Sequence, residues 1–363
     1  LNLSGPLTDG ELIITVNNAE NIYGSPIIVA NTISFKVDTT NPSIISNVPA
    51  QGAQINQANA TISVVFSESM DQSLIGNGAR NGNNYVLSGA GSNGAIVSNV
   101  TYDGSNSYTL GLDRPLVSGQ VTIVVGSVHD LSGLILSGET SFSFTLDTNV
   151  PEIASVSPSN GTTSNEINPT ISFTYTKIMN ESASGAGARN PSNYFFTGSG
   201  ANGVSVTAVS GSGAGPYTVT LSGAFKGGYV NLRVNNVEDE STNPIVNNTR
   251  IVFYYIDIAS ATIANSIPQE GAYVNDVNTA LSINFSENVL ADSSTNGALN
   301  ALNYNLSGVG ANGITVLSVT GSGSGPYVLN LSGVLTDGIV TVGIQNVSDN
   351  YGNISSLESF YFT

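Results

Sequence analysis

The sequence lacks several residue types on which common functions depend. The 363-residue chain has no cysteine, no tryptophan and a single histidine. Without cysteine it cannot form a disulfide framework, a thiolate zinc site or an iron–sulfur cluster. Charged residues make up 9% of the chain, against about 25% in an average soluble domain. The net charge is −17, with 25 acidic and 8 basic residues, so we expect no nucleic-acid partner.

A repeat of about 110 residues runs through the chain. Three segments begin with an aspartate, at Asp38, Asp147 and Asp257, which are 109 and 110 residues apart. After each of these, an aromatic residue follows at 28 positions, a tyrosine at 47 and at 70, and an aspartate at 92. In chain order these residues are Phe66, Tyr175 and Phe285; Tyr85, Tyr194 and Tyr304; Tyr108, Tyr217 and Tyr327; Asp130, Asp239 and Asp349. We therefore divide the chain into repeat 1 (38–146), repeat 2 (147–256) and repeat 3 (257–363).

Residues 1–37 match only the last third of a repeat. Residues 1–5 (LNLSG) match residues 329–333, and Tyr23-Gly24 matches Tyr351-Gly352. A third of a domain would leave apolar strand faces and edges uncovered. We therefore expect a window from a longer array, with further repeats of the same polypeptide as partners. The alternative is that a neighbouring chain supplies the missing strands.

Each repeat is predicted to be built from β-strands. In residues 61–66 (TISVVF) the apolar positions alternate, which places Ile62, Val64 and Phe66 on one face. We count seven candidate strands per repeat, separated by Gly, Asn, Ser and Pro turns, and find no amphipathic stretch of helical length. This size and pattern predict an all-β fold of tandem immunoglobulin-like β-sandwich domains, arranged end to end as a rod.

Two strand-to-loop segments resemble bacterial Ig-like domains. They are residues 64–71 (VVFSESMD) and residues 283–288 (INFSEN), and in repeats 1 and 2 an Asp-Thr-x-x-Pro opening precedes the corresponding strand. Such domains recur in S-layer proteins and in large bacterial surface adhesins, so the resemblance implies a bacterial cell-surface location. The sequence departs from the pattern at Lys177, where repeats 1 and 3 have glutamate, and repeat 3 lacks the opening proline.

Two motifs that could suggest catalysis or nucleotide binding have simpler interpretations. A G-x-G-x-x-G pattern occurs in each repeat, but it precedes an alternating strand rather than a helix, so it predicts a turn. The single histidine, His129, precedes Asp130, and neighbouring side chains on a strand point to opposite faces. Its counterparts are Glu238 and Ser348. We therefore expect a loop residue and no enzyme.

Acidic residues recur near one predicted pole of each sandwich, where the first residue, the B–C loop and the F–G loop gather. The candidate ligands are Asp38, Glu68, Asp71 and Asp130 in repeat 1, Asp147 and Asp239 in repeat 2, and Asp257, Glu287, Asp292 and Asp349 in repeat 3. Because Ca²⁺ prefers six to eight oxygen ligands, we predict structural calcium between domains, chiefly in repeats 1 and 3. The alternative is a set of solvated loops in which Asp and Asn form turns.

These features together predict a non-enzymatic, extended segment of a bacterial cell-surface protein. It would serve as an adhesin stalk, or as an S-layer or filament subunit that contacts identical subunits. No apolar run approaches the roughly 20 residues of a membrane-spanning helix, so no membrane insertion is expected. The alternative is a glycan- or ligand-binding module, for which Tyr255 and Tyr273 are the candidate aromatic residues.

Overall fold

The computed structural model describes residues 2–29 and 31–363, so Leu1, the first residue of the predicted partial repeat, lies outside the described residues. The chain divides into two compact units. One runs to Val150 and includes Asp239–Asn243, and the other contains Pro151–Glu238 and Pro244–Thr363. Among the described residues, no helix is long and apolar enough to cross a membrane.

The first unit contains a hairpin followed by a two-sheet sandwich. The hairpin strands are β1 (Gly10–Val16) and β2 (Asn31–Val37). The sandwich strands are β3 (Ile44–Val48), β4 (Gln54–Ile55), β5 (Ile62–Phe66), β6 (Tyr85–Ser88), β7 (Val97–Gly104), β8 (Ser107–Leu112), β9 (Gly119–Val125) and β10 (Ser141–Leu146). Its sheets have the strand orders β3-β5-β8-β7 and β4-β10-β9-β6.

The second unit contains two further sandwiches with the same connectivity. In repeat 2 the strands are β11 (Ile153–Ser157), β12 (Thr163–Ser164), β13 (Ile171–Tyr175), β14 (Tyr194–Thr197), β15 (Val206–Ser210), β16 (Tyr217–Leu221), β17 (Gly228–Val234) and β18 (Thr249–Ile256). In repeat 3 they are β19 (Ile263–Ile267), β20 (Leu281–Phe285), β21 (Tyr304–Ser307), β22 (Val316–Thr320), β23 (Tyr327–Leu331), β24 (Val340–Ile344) and β25 (Glu358–Phe362). The sheet orders are β11-β13-β16-β15 and β12-β18-β17-β14, then β19-β20-β23-β22 and β21-β24-β25.

The all-β sandwich prediction is confirmed, with one correction to the number of strands. Repeats 1 and 2 have eight strands rather than seven, because two-residue strands β4 and β12 pair in parallel with the last strand of the repeat. In repeat 3 a single parallel bridge, Ala272 to Phe362, takes this place. Two paired residues are too short to produce an alternating pattern, so periodicity could not reveal them.

Each repeat has its own hydrophobic core, built from the inward faces of its strands. In β5 the alternating residues Ile62, Val64 and Phe66 are buried, as the pattern predicts. Separate clusters of buried residues fill repeats 2 and 3. Burial of this apolar surface is the main favourable contribution to the stability of each sandwich.

The recurring tyrosines are buried anchors with satisfied hydroxyl groups. The first tyrosine of each repeat donates a hydrogen bond to an alanine carbonyl six residues earlier, at distances of 2.6–2.7 Å. The donor–acceptor pairs are Tyr85 with Ala79, Tyr194 with Ala188, and Tyr304 with Ala298. A buried hydroxyl without a partner would be costly, so the constant six-residue spacing explains why these positions keep their register.

The glycine motifs form turns between strands, as predicted. In repeat 1 a short 3₁₀ turn, Ala90–Ser92, connects β6 to β7. Its central residue, Gly91, lies so close to the start of β9 that a β-carbon there would be 2.4 Å from the carbonyl oxygen of Gly119. The glycine is therefore needed for close backbone approach rather than for phosphate binding.

Other short 3₁₀ turns also join strands. They are Gly82–Asn84, Pro191–Asn193, Ala301–Asn303 and Val309–Ala311. In three of them an asparagine side chain at the preceding position accepts a backbone hydrogen bond from inside the turn, which satisfies a donor that the short turn leaves unpaired.

Candidate functional site

The loop before the last strand of each repeat is organised by a buried aspartate. In repeat 1, Oδ1 of Asp130 accepts hydrogen bonds from the backbone N–H groups of Ser132 and Leu134, both at 2.8 Å. In repeat 3, Oδ1 of Asp349 accepts the same pair of bonds from Tyr351 and Asn353. Both aspartates are only 2% exposed. The aspartate that lies 92 residues after the start of the repeat therefore holds the loop in its conformation.

The partial repeat shows that this loop needs only one acceptor oxygen. There Asn21 stands in the equivalent position, and its Oδ1 accepts hydrogen bonds from the backbone N–H groups of Tyr23 and Ser25 at 2.9 and 3.0 Å. Because an amide oxygen closes the loop without a charge, the second carboxylate oxygen of Asp130 has no part in forming the turn.

Three carboxylates converge in repeat 1. Asp38 follows β2, Glu68 follows β5, and Asp130 lies in the loop between β9 and β10. One carboxylate oxygen of each residue lies within 4.8 Å of the others. The sequence prediction that these loops bring acidic side chains to one pole therefore agrees with the geometry for these three residues.

Burial and the neighbouring carboxylates disfavour the charged form of Glu68. Burial raises the pKa of Glu68, and the negative charges of Asp38, Asp130 and Asp9 raise it further, while Lys36 acts in the opposite direction. Glu68 is nevertheless only partly buried. A positive charge placed among these oxygens would remove the repulsion that raises this pKa.

One oxygen of this cluster is buried and has no partner. Among the described residues, no donor lies within hydrogen-bond distance of Oδ2 of Asp130. Leu134 occupies the loop position from which a polar side chain could donate a hydrogen bond to this oxygen, but its side chain is apolar. Leaving a buried carboxylate oxygen unsatisfied costs on the order of 1–3 kcal/mol, and more when the group is charged.

Repeat 3 has the same carboxylates but satisfies the corresponding oxygen. Asp257, Glu287 and Asp349 again place carboxylate oxygens within 4.8 Å of one another. Here the side-chain amide of Asn353 donates to Oδ2 of Asp349 at 2.8 Å and to the backbone carbonyl of Asp257 at 3.0 Å. Burial raises the pKa of Glu287, with further contributions from the other two carboxylates of the cluster.

In repeat 2 the sequence supplies two of the three acidic positions, since Lys177 stands at the offset of the glutamate. Asp239 is 1% exposed, and its Oδ1 accepts hydrogen bonds from the backbone N–H groups of Ser241 and Asn243. The amide of Asn243 also contacts Oδ2 of Asp239 at 3.1 Å and the carbonyl oxygen of Asp147 at 2.9 Å. Asn243 therefore makes the same two contacts as Asn353 in repeat 3, to the loop aspartate and to the carbonyl of the first aspartate of the repeat. We call this pair of contacts the asparagine bridge.

In repeats 1 and 3, two of the proposed ligands, Asp71 and Asp292, do not join the clusters, and Asp147 and Asp239 of repeat 2 also lie outside the three-carboxylate groups found among the described residues. Oδ1 of Asp71 accepts hydrogen bonds from the backbone N–H and the hydroxyl of Ser73, and Asp292 makes the same pair of bonds with Ser294. These local bonds lower the pKa of both carboxyl groups, with the serine hydroxyl as the main cause. Asp71 and Asp292 are not members of the three-carboxylate groups. Their role is to close their own turns.

The arrangement around His129 is not that of a catalytic triad. Its Nε2 lies 3.2 Å from Nδ2 of Asn77, and the carboxylate of Asp130 holds its own loop instead of the imidazole. A triad needs a base oriented by a carboxylate and within reach of a nucleophile. The histidine is half-buried in a loop, as the sequence predicts.

A second feature, which sequence reasoning identified only in part, is an aromatic cleft in the second unit. It has a volume of about 370 Å³, and its lining residues are Gly161, Thr163, Tyr229, Phe253, Tyr255, Asp257 and Tyr351. The rings of Tyr229 and Tyr255 meet edge to face with centroids 4.9 Å apart. The other proposed aromatic, Tyr273, is 89% exposed and lines a different cleft. Pairing between β17 and β18 places Tyr229 opposite Tyr255, so no local signal in the sequence links these two residues.

Taken with the fold, these loops define a class of protein, the tandem Ig-like β-sandwich with an acidic loop cluster. Residues 38–146 match the family model of the bacterial Ig-like domain. The predicted resemblance is thereby confirmed, and this segment is a bacterial Ig-like domain. No curated protein sequence matches the chain.

Solved structures of surface proteins are distantly similar to the chain. One is the Escherichia coli adhesin FdeC, with 13% identity, a TM-score of 0.35, and coverage of 89% of this chain and 96% of that one. Another is the S-layer protein SbsC, with 13% identity, a TM-score of 0.24, and coverage of 89% of this chain and 54% of that one.

Proposed function

We propose that this chain is a non-enzymatic structural segment of a bacterial cell-surface protein. The observation that carries the proposal is the repetition of one sandwich topology, each copy with its own core, in a chain whose repeat 1 matches the bacterial Ig-like domain. Each repeat has its own core, which is a property of domains that can in principle fold alone, and such domains suit a spacer that must remain folded outside the cell.

We propose further that the repeats form an extended rod, as a stalk or as a lattice or filament subunit. The linkers support this, since one repeat follows the other directly at Leu146-Asp147 and at Ile256-Asp257. Short connections of this kind limit bending between domains. Cations at the acidic clusters would stiffen the chain where repeats 1 and 3 begin, because Asp38 and Asp257 are members of these clusters.

Small-angle X-ray scattering of the full chain tests the rod. A compact protein of this length has a radius of gyration of about 21 Å, and we expect a value well above that. A value near 21 Å would contradict an extended shape. Light scattering at increasing concentration then separates the two roles, because a stalk should remain monomeric whereas a lattice subunit should self-associate.

The aromatic cleft favours a second candidate function, glycan or ligand binding. Its volume is within the range of small-molecule sites, and the rings of Tyr229 and Tyr255 could stack on a sugar face. A glycan array probed with the full chain tests this role. Binding should be lost in Tyr255→Ala and retained in Tyr273→Ala, which alters an exposed tyrosine outside the cleft. Equal binding by both variants would exclude the cleft.

A further inference from the structure

One carboxylate oxygen of Asp130 takes no part in holding the loop together. Its Oδ1 closes the loop, a task that Asn21 performs with an amide in the partial repeat. Its Oδ2 is buried and without a hydrogen-bond partner among the described residues. An asparagine would therefore serve the loop equally well and would avoid burying a charge.

The surroundings of the Asp130 carboxylate add further negative charge instead of compensating its own. Carboxylate oxygens of Asp38 and Glu68 lie within 4.8 Å of one from Asp130. The hydroxyl of Ser132, at 3.2 Å from Oδ2 of Asp38, is a weak neutral donor. Three carboxylates at this separation repel one another unless a cation lies between them.

The distances suit a single hard cation. Ca²⁺ binds oxygen ligands at about 2.3–2.6 Å, so two oxygens on one ion are at most about 5 Å apart. Mg²⁺ requires shorter bonds and near-ideal octahedral geometry, which three side chains from three separate loops are poorly suited to supply. Water or backbone carbonyls would complete the larger and more flexible Ca²⁺ shell.

We propose that Asp38, Glu68 and Asp130 bind a divalent cation, with Ca²⁺ as the best-matched ion. We propose also that the corresponding cluster of repeat 3 binds it more weakly. There Oδ2 of Asp349 already accepts a hydrogen bond from the amide of Asn353, so that oxygen is satisfied within the protein and gains less from a cation. This site is independent of the cell-surface role, because it depends only on the loops of repeat 1.

The test is calorimetric titration of CaCl₂ into the chelator-treated and dialysed full chain. We expect a binding event that Glu68→Gln weakens at least tenfold, while Glu139→Gln leaves it unchanged. Glu139 is an exposed glutamate of the same repeat outside the cluster, so this control makes the same change in net charge. Asp130→Asn should also weaken binding while keeping the acceptor that closes the loop.

Exchange of the distinguishing residue between repeats provides the sharper test. Leu134→Asn gives repeat 1 the amide that repeat 3 has, and we expect it to weaken Ca²⁺ binding by about tenfold or more. Glu287→Gln, which alters only the repeat 3 cluster, should leave the tightest binding event in place. Far-ultraviolet circular dichroism of each variant confirms that the fold is intact.

Three results would overturn the proposal. The first is the absence of binding up to about 10 mM Ca²⁺, roughly tenfold above the range of weak extracellular calcium modules. The second is an isotherm of Glu68→Gln that equals that of the wild-type protein. The third is loss of the tightest event in Glu287→Gln but not in Glu68→Gln, which would place the ion in repeat 3.

Discussion

The loops of repeats 1 and 3 differ in whether a side chain donates a hydrogen bond to the second oxygen of the buried aspartate. Both contain three converging carboxylates and a buried aspartate that closes the loop. In repeat 3, Asn353 donates to the second oxygen of that aspartate, whereas in repeat 1 Leu134 cannot. The comparison teaches that one loop satisfies its buried charge within the protein, while the other leaves an oxygen available to a cation.

Repeat 2 and the partial repeat extend this comparison. Asn243 donates to both oxygens of Asp239, as the asparagine bridge of repeat 3 would suggest. In the partial repeat, Asn21 replaces the aspartate and removes the charge altogether. Repeat 1 thus differs from the other three loops in keeping the charge without a donor for its second oxygen.

Removal of the loop aspartate should have the largest effect. Asp349→Ala loses two bonds from backbone N–H groups and one from Asn353, and we expect the free energy of local unfolding to fall by about 4 kcal/mol. Asp130→Ala loses only the two backbone bonds and also removes the buried oxygen that has no partner, so the expected loss in the presence of chelator is smaller, about 1–2 kcal/mol. Hydrogen-exchange mass spectrometry measures each repeat separately within the full chain.

The matched control is the amide variant of the same position. Asp130→Asn keeps one acceptor oxygen, as Asn21 does, so its loop should remain protected from exchange in the presence of chelator. Equal deprotection by Asp130→Asn and Asp130→Ala would show that the charge, rather than the acceptor, holds this loop.

Removal of the asparagine bridge should have the next largest effect on stability. Asn353→Leu gives repeat 3 the residue of repeat 1 and removes two hydrogen bonds, one of them to a carboxylate. We expect repeat 3 to lose about 2–3 kcal/mol in the presence of chelator and to regain part of it when Ca²⁺ is added. Hydrogen exchange with and without Ca²⁺ measures both changes. If the loss is the same in both conditions, Asn353 and a cation are not interchangeable.

Neutralising the glutamate of each cluster should have the smallest effect, and it should increase stability instead of decreasing it. The pKa of Glu68 is raised by burial and by neighbouring carboxylates, so its charged form is disfavoured in the fold. Without cations, Glu68→Gln should therefore raise the stability of repeat 1 slightly, by less than about 1 kcal/mol. Glu287→Gln should do the same in repeat 3. Calorimetric melting with chelator measures this, and a decrease in both variants would contradict mutual repulsion.

Much of the fold could be predicted from the sequence because the same residue types recur at the same positions in each repeat. Alternation identified the inward face of β5, and the constant spacing of Tyr85 and its counterparts reflects a hydroxyl that must reach a carbonyl six residues earlier. The convergence of Asp38, Glu68 and Asp130 followed from the topology, because an Ig-like sandwich brings these loops to one end.

The remaining details of the site depend on individual hydrogen bonds and on contacts between distant segments, which a residue pattern does not reveal. The sequence predicts that Asp71 joins the cluster, whereas in the structure a hydrogen bond from Ser73 holds it in its own turn. The burial of Asp130 was not foreseen, although the asparagine at the same position of the partial repeat, Asn21, was a usable signal for a loop acceptor. The aromatic cleft requires residues from several strands, so no single segment could indicate it.

The buried tyrosine anchors set an alkaline limit for the fold. Burial raises the pKa of Tyr85, Tyr194 and Tyr304, and it raises the pKa of Tyr217 to about 12. An unfolded tyrosine ionises near pH 10, so above that pH the unfolded chain loses protons that the folded repeats retain. The contribution of these tyrosines to stability is therefore fully present below about pH 10 and decreases as the pH rises further. Absorbance at 295 nm during alkaline titration would show buried tyrosines ionising together as their repeat opens, so the chain reports its own unfolding without tryptophan.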